Sequence, residues 1–558
     1  MSDYPWLKKY PTGIAWSEPF FGRPVYALLD DAAAKWPQNV ALDFYGKTYT
    51  YARLRDMVDR IARGLTEIGV TRGTKVGLFM PNCPQFVMAY YAILKTGATV
   101  VNFNPLYSSH EIAHQLKDAQ VEVMFTVNLR LTYAKLVPFI GNSSLRKIVM
   151  CQFQEAMPMA KRLAFTAAKQ KDILNAPKDS YHKALNDLLA CEPLTEFPNV
   201  LPDSQAAVLQ YTGGTTGIPK GAVLTHTNLY VNTLQCRRWI TADLTDGGET
   251  LLAIIPFFHV FAMTVAMNMA IASGYRIIIH PRFELKHVLS DIDHKKPTLL
   301  PGVSTLYATI NNAPTLRKYD LSSIKVCVSG GGPLPLEVKD NFEQLTGCKL
   351  VEGYGLTEAS PVTSCSPLSG EYRRGSIGLP FPGTIMEIVD KDDHQRVLPP
   401  GEVGEVCIRG PQVMQGYLNR REETDLVLRN GRLHTGDLGR MDEDGYFYIV
   451  DRLKEMIIVG GYNVYPRNVE EEIYSHPGVA ECAVLGLEHP TRGQMIKAFV
   501  VLKEGAALAP DELRQYLRAR MSAYAVPHEV ELRDALPKSS VGKILKKELL
   551  AEEKAKHS

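Results

Sequence analysis

Residues 211–221 read YTGGTTGIPKG, and the run after them, AVLTH at 222–226, is strand-like. Gly213, Gly214 and Gly217 let the main chain bend sharply and approach an anion closely. Successive N–H groups, with the hydroxyls of Thr212, Thr215 and Thr216, supply donors for phosphate oxygens, and Lys220 adds a positive charge. The loop is not a Walker sequence, in which Gly-Lys-Ser/Thr opens a helix. Here Pro219-Lys220-Gly221 stops the chain and a strand resumes. By itself a glycine–threonine loop is equally a surface turn, so the surrounding segments decide between a turn and an ATP cradle.

Those segments alternate. In the N-terminal third, VALDFYG (40–46), KVGLFMP (75–81), GATVVNF (97–103) and VEVMFTV (121–127) are interleaved with the helical patterns YARLRDMVDRIARGL (51–65) and PQFVMAYYAILK (84–95). A second set follows with RIIIHP, PTLLPGV, IKVCVSGGG and CKLVEGYG. From about 384 the strands shorten and pair as hairpins, as in TIMEIVD, GEVCIRG and GYFYIVD. The pattern predicts an α/β protein with two α/β sheet layers and a β subdomain. After DRLKEMIIVGGYNVYP (451–466) a compact α+β alternation restarts, so the boundary is placed at 453/454: residues 1–453 as one domain, 454–558 as a smaller one.

A chain of 558 residues exceeds a single core, and 45% hydrophobic with 22% charged residues is globular composition. Sixty-two basic against sixty acidic residues leave +2, which gives no electrostatic reason to expect nucleic acid. Nine scattered cysteines without a C-x-x-C pair fit reduced thiols better than a disulfide framework or a cysteine zinc site. MSDYPWLKKY has no apolar signal core, so a cytoplasmic location is expected. The apolar run at 251–275 is long enough for a membrane span, but Pro256, His259 and Asn268 favour a buried segment. Residues 155–183 carry six Lys or Arg against three acids, mixed with Met157, Met159, Leu163 and Phe165. They read as a solvated insertion, with peripheral contact at the inner face of the plasma membrane as the other reading. A homodimer is left open.

Further chemistry-bearing segments follow the phosphate loop. Gly330, Gly331 and Gly332 allow backbone to lie flat against a planar base. The block VEGYGLTEASP at 351–361 contributes Glu352, Gly353, Tyr354, Gly355 and Thr357. In it Tyr354 can stack on adenine, Thr357 can donate to phosphate, and Glu358 has the hard oxygens that hold magnesium. Asp437 suits two ribose hydroxyls, Arg452 reaches ribose or phosphate, and Lys543 follows a flexible Ser-Ser-Val-Gly approach. Each piece alone has an ordinary structural explanation.

Together and in this order, from about Ala32 to Leu550, they resemble the adenylate-forming superfamily of acyl-CoA synthetases, luciferases and peptide-synthetase adenylation domains. The resemblance includes PFFH at 256–259, YGLTE at 354–358, GEVCIRGPQVMQGY at 404–417, TGD at 435–437, DRLKEMI and SSVGK. Within it, NGRLHTGDLGRMDEDGYFYIVDRLKEMIIVGGYNVYP is most similar to long-chain fatty acyl-CoA synthetases; Gly213 stands where the superfamily often has serine.

The resemblance implies ATP-dependent activation of a medium- or long-chain fatty acid to acyl-AMP, then transfer to coenzyme A. It implies Lys543 as the catalytic lysine, His259 near the carboxylate, and Glu358 with Thr216 at Mg²⁺. The phosphate loop would hold ATP, while Gly331, Tyr354, Asp437 and Arg452 would hold the adenosine. Lys454 would be the hinge about which the small domain brings Gly460, Gly461 and Tyr462 to a pantetheine channel. Phe261, Met263, Met267, Val303 and Leu306 are expected along the acyl tunnel. Three other readings stand: a dicarboxylic or aromatic acid, with Arg237, Arg238 or Arg276 deep in the pocket; a luciferase-like oxygenase; or a non-catalytic binding protein of this fold.

Overall fold

Strands whose apolar runs show no alternation are buried on both faces, as strands in parallel sheets must be. The computed structural model describes residues 4–212, 219–240, 244–459, 462–489, 493–539 and 542–556. In the first sheet β1 (Ala206–Thr212) and β2 (Lys220–Thr225) form an antiparallel hairpin with Thr212 opposite Lys220. β1 continues through parallel neighbours Thr99–Asn102, Lys75–Phe79, Val123–Val127, Lys147–Cys151 and His182–Ala184. On the other side of the hairpin Gly416–Tyr417 pairs with β2. The second sheet runs from Lys47–Thr50 through Val40–Phe44, Arg276–Ile279 and Thr250–Ala253. Bridges at Leu299 extend it to β3 (Val326–Ser329) and the parallel β4 (Lys349–Gly355).

Helix α1 (Pro84–Lys95) starts with proline at the position where no N–H partner is needed, and all twelve of its residues are buried. Its last residue, Lys95, is 1% exposed, and its Nζ donates to Asp30 Oδ1 at 2.6 Å and Asp59 Oδ1 at 2.5 Å. The preceding helix, Tyr51–Glu67, buries Tyr51, Leu54, Val58, Ile61 and Leu65 at helical spacing and is capped by Thr50.

The apolar run at 251–275 is divided into the strand Thr250–Ala253, a π-helical stretch Ala262–Asn268 and the helix Met269–Ala272, all but fully buried. Among the described residues no helix is long and apolar enough to cross a membrane. In the basic insertion α2 (Met159–Ala168) lies on the surface, with Met159 and Leu163 exposed, while Phe165 packs on Phe153 and Lys161 donates to Tyr45 O at 2.8 Å.

The β subdomain is antiparallel: β5 (Ile385–Val389), β6 (Gly404–Arg409), β7 (Arg432–Met441) and β8 (Phe447–Arg452), with Leu428–Arg429 at the edge beside β7. Beyond Arg452 a separate sheet, Ile457–Val459, Tyr462–Val464, Val479–His489, Gly493–Leu502 and Glu529–Leu532, packs with its own helices. Its hydrophobic clusters contain no buried residue before Ile457. The fold is the expected one: a large α/β body with a β subdomain, followed by a small α+β unit.

Lys95→Met leaves Asp59 buried without its closest cation. Removing one member of a buried pair costs about 3–5 kcal/mol. Unfolding free energy in urea is expected to fall by roughly 3 kcal/mol, Arg55 remaining 3.6 Å from Asp59. A fall below about 1 kcal/mol would show the pair to be dispensable.

Candidate active site

The floor of the cleft is the loop after β3. Gly331 adopts φ +82, and a Cβ there would find only Val303 Cγ1, at 3.9 Å, while one on Gly332 would meet nothing within 4 Å. This is open, side-chain-free backbone of the kind a planar base can lie against. Gly330 differs: a Cβ there would meet the Phe261 ring at 3.0 Å, so the floor rests on that phenylalanine. At Gly355 a Cβ would lie 2.0 Å from Pro361 O, so only glycine permits the chain to return there.

The walls come from β4, β7 and β8. Asp437 and Arg452 face one another in the β7–β8 register. Arg452 Nε donates to Asp437 Oδ1 at 3.1 Å, and Tyr354 OH donates to Oδ2 at 2.6 Å. Burial, then the Asp437 charge, pushes the Tyr354 phenol well above its ordinary value, so it remains a donor at physiological pH. Thr357 and Glu358 follow on a short 3₁₀ turn, half-buried. Tyr417 OH donates to Glu358 Oε1 at 2.7 Å, and Lys220 Nζ sits over the Tyr417 ring, 5.3 Å from its centroid. Tyr417 thus links the end of the phosphate loop to the acid on the opposite wall.

The remaining wall belongs to the small unit. Gly542, at φ +80, brings the Lys543 loop against α3 (Ser304–Asn311), where Thr305 Oγ1 donates to Gly542 O at 3.2 Å. Ser539 closes the loop, accepting from Lys543 N at 3.2 Å and donating its own N–H to Lys543 O at 2.8 Å. The Lys543 ammonium interacts electrostatically with Arg452, Glu455 and Asp437. Surrounding protein and then Arg452 lower its pKa, with Glu455 and Asp437 opposing. His259 is held down to about 4, by burial first and then by Lys543, so it is a neutral imidazole at physiological pH.

Glu352 stands apart from these residues. It is 7% exposed, accepts from Leu334 N, and lies 3.6 Å from Arg467 of α4 (Pro466–Tyr474) in the small unit. Burial raises its carboxyl to about 7. At the neighbouring Gly353 a Cβ would press on Val328 at 3.2 Å. Lys454 is exposed in the turn after β8, and Tyr462 opens the strand Tyr462–Val464. Gly213, Gly214, Thr215, Thr216, Gly217, Gly460 and Gly461 lie outside the described residues.

A small apolar cavity of about 30 Å³ lies among Trp239, Leu251, Val265, Met269, Val328 and Phe381. None of the five expected tunnel residues lines it. In the π-helical stretch Val265 turns toward the cavity, whereas Met263 packs its sulfur 3.4 Å from Asn102 Nδ2 and Phe261 supports Gly330. Arg237, Arg238 and Arg276 are engaged elsewhere, with Asp246, Glu18 and Asp43. Sequence reasoning missed the bracing roles of Tyr417, Thr305 and Arg467. Tyr417 lay inside a quoted block; Thr305 and Arg467 carried no motif.

A glycine-floored cleft shared by a large α/β body and a small lysine-bearing unit is the arrangement of adenylate-forming proteins. The chain belongs to the AMP-binding enzyme family, which it matches over residues 29–418, and its residues 468–543 match the AMP-binding enzyme C-terminal domain. It is 44% identical over 559 residues to a long-chain-fatty-acid–CoA ligase of Bacillus subtilis (strain 168), covering 100% of this chain and 99% of that one. It is 36% identical to the long-chain-fatty-acid–CoA ligase of Salmonella typhimurium, over 99% of this chain and 98% of that one. Among solved structures it resembles an anthranilate CoA ligase in complex with anthranoyl-AMP, with TM-score 0.86, 25% identity and coverage of 98% and 100%.

The Gly542 contact yields a test. In Gly542→Ala the new Cβ would lie 2.6 Å from Thr305 Oγ1 and the residue would keep a strained φ. ATP–pyrophosphate exchange is expected to fall at least about tenfold, since misplacement by ~1 Å costs up to about a hundredfold. Adding Thr305→Ala should recover part of the loss. Equal activity of Gly542→Ala and the parent would show that the contact does not position Lys543.

Proposed function

We propose that this protein is a long-chain fatty-acid–CoA ligase, forming acyl-AMP and pyrophosphate from fatty acid and ATP, then acyl-CoA and AMP. The observation that carries this reading is the docking of the Lys543 loop on Thr305 beside the Tyr354–Asp437–Arg452 group and the open backbone at Gly331 and Gly332. Arg237, Arg238 and Arg276 are each paired with an acid, which favours a monocarboxylic chain over a dicarboxylic acid that would need a free cation.

In the first step a carboxylate oxygen attacks the α-phosphorus of ATP and the bond to pyrophosphate breaks. Such transfers depend on positioning and neutralisation of charge. Asp437 accepts from the ribose hydroxyls, the flat backbone at Gly331 and Gly332 takes the base beside Tyr354, and Lys220 with the phosphate loop takes the distal phosphates. Lys543 carries its ammonium to the oxygen shared by carboxylate and α-phosphate. His259, neutral, lies at the carboxylate's entry, where a charged acid would repel it. Glu358 fits Mg²⁺: it is a hard carboxylate on the wall facing Lys220, oriented by Tyr417. With Thr216 it would hold that ion, which when bound offsets phosphate charge.

In the second step the coenzyme A thiol attacks the acyl carbonyl and AMP leaves. The small unit rotates about Lys454 between steps, withdrawing Lys543 and presenting the 460–462 stretch. Polar contacts at the boundary, such as Glu337–Lys503 at 2.8 Å, favour such movement.

Purified protein with ATP, Mg²⁺ and C4 to C18 acids is expected to release AMP only with coenzyme A, rising with chain length because each methylene contributes about 0.8 kcal/mol of burial. Turnover confined to aromatic or dicarboxylic acids would overturn the substrate and keep the chemistry. Lys543→Ala should abolish acyl-AMP formation and spare thioester formation from supplied acyl-AMP; loss of both would refute its role. The charged lysine is the active form, so kcat/KM for ATP declines as pH rises through a pKa below 10.5. Lys543→Arg, whose guanidinium stays charged, should move that alkaline limb upward.

A further inference from the structure

On the β subdomain, away from the glycine floor, three side chains meet that no part of the reaction uses. His394 stands on the turn between β5 and β6, Glu405 on β6 and His434 on β7, and one ligand atom from each lies within 4.8 Å of the other two. The pair in the strands is deeply enclosed: the side chains of His434 and Glu405 are 2% and 6% exposed. His434 Nδ1 lies 2.7 Å from Glu405 Oε2, and Cys407 Sγ lies 3.3 Å from the same nitrogen. The His394 ring meets the His434 ring edge to face, centroids 5.6 Å apart at 86°.

The second observation concerns satisfaction. Buried polar nitrogens in folded proteins nearly always have partners. Here two in one place have none among the described residues: His394 Nδ1 and His434 Nε2. Two imidazole nitrogens left unpartnered near a carboxylate are costly in an enclosed site and well matched to a cation that takes nitrogen ligands.

We propose that His394, Glu405 and His434 bind a divalent transition-metal ion of the zinc type. Two imidazoles and one carboxylate are a zinc ligand set with a fourth position left over. Bonds of about 2.0 Å in tetrahedral geometry place ligand atoms roughly 3.3 Å apart. Closing from 4.8 Å therefore needs a shift of about 1.5 Å, and His394 can supply it because its turn, closed by Arg396 N donating to Asp393 O, lies at the surface. Magnesium, which prefers six oxygens, is a poor occupant.

The position carries a consequence. Glu405 Oε1 accepts from Gly436 N at 3.0 Å, and Thr435 Oγ1 donates to Val406 O at 2.7 Å, so the same two strands hold the turn that presents Asp437. An ion on Glu405 and His434 would stiffen that turn and alter ATP affinity. This consequence rests on the ribose reading of Asp437; the binding of the ion does not.

The full-length protein, stripped of metal, is titrated with Zn²⁺ by calorimetry and with Co²⁺ by visible absorbance. The expected result is one equivalent bound, with the spectrum of a four-coordinate, nitrogen-ligated ion. His394→Gln, at a half-exposed turn position, should fold normally and weaken binding at least about tenfold, and His434→Gln should abolish it. No stoichiometric binding, or Zn²⁺ affinity unchanged in His394→Gln, overturns the site. Zinc binding that leaves the ATP dissociation constant unchanged overturns the coupling to Asp437, whereas an ATP dissociation constant unchanged in Asp437→Ala would count against the ribose reading.

Discussion

The cleft depends on a strand register. Asp437 lies directly opposite Arg452 across β7 and β8, and Tyr354 reaches the same carboxylate from β4. A slip of one residue would send Asp437 to the opposite face of the sheet and leave Arg452 without its acid. The ladder is irregular on both sides of this point, between Glu405 and Cys407 and between Leu438 and Gly439. Such bulges re-aim side chains beside functional sites. Leu453 N donates to Gly436 O at 2.9 Å, so the turn holding Asp437 is tied to the residue that precedes Lys454. The wall carrying Asp437 and Arg452 is therefore tied by backbone to the start of the small unit.

That connection explains which features were legible in the sequence. Segments that must supply a particular backbone shape or charge announce themselves, as at Gly330–Gly332, Tyr354, Asp437, Arg452 and the Lys543 loop. The helical spacing of 51–65 and the unbroken apolar runs of the parallel strands were equally readable, because burial on one face or two dictates the pattern. What could not be read are contacts made by residues with no special chemistry. Thr305 acts through one hydroxyl against Gly542, a partner 237 positions away. Glu352 sits within a motif, yet tertiary packing turns it toward Arg467. The π-helical winding of Ala262–Asn268 is likewise invisible in an unbroken apolar run. The His394, Glu405 and His434 group is assembled by antiparallel pairing from three separate segments, with no ligand spacing to reveal it.

The boundary between the two units has the physics of a contact made to be broken. Among the described residues no hydrophobic cluster spans it: the buried members of one family end at Phe447 and those of the other begin at Ile457. Polar contacts cross it, among them Thr305 with Gly542, Glu337 with Lys503 and Glu352 with Arg467, and a groove whose lining includes Asn312, Val338, Tyr474 and Lys503 runs between the units. Glu352 weakens the clamp further, since a carboxyl lifted to about 7 is partly protonated at neutral pH and attracts Arg467 less than a full charge would. An interface of this kind favours exchange between two geometries over permanent closure, as two successive reactions in one cleft require.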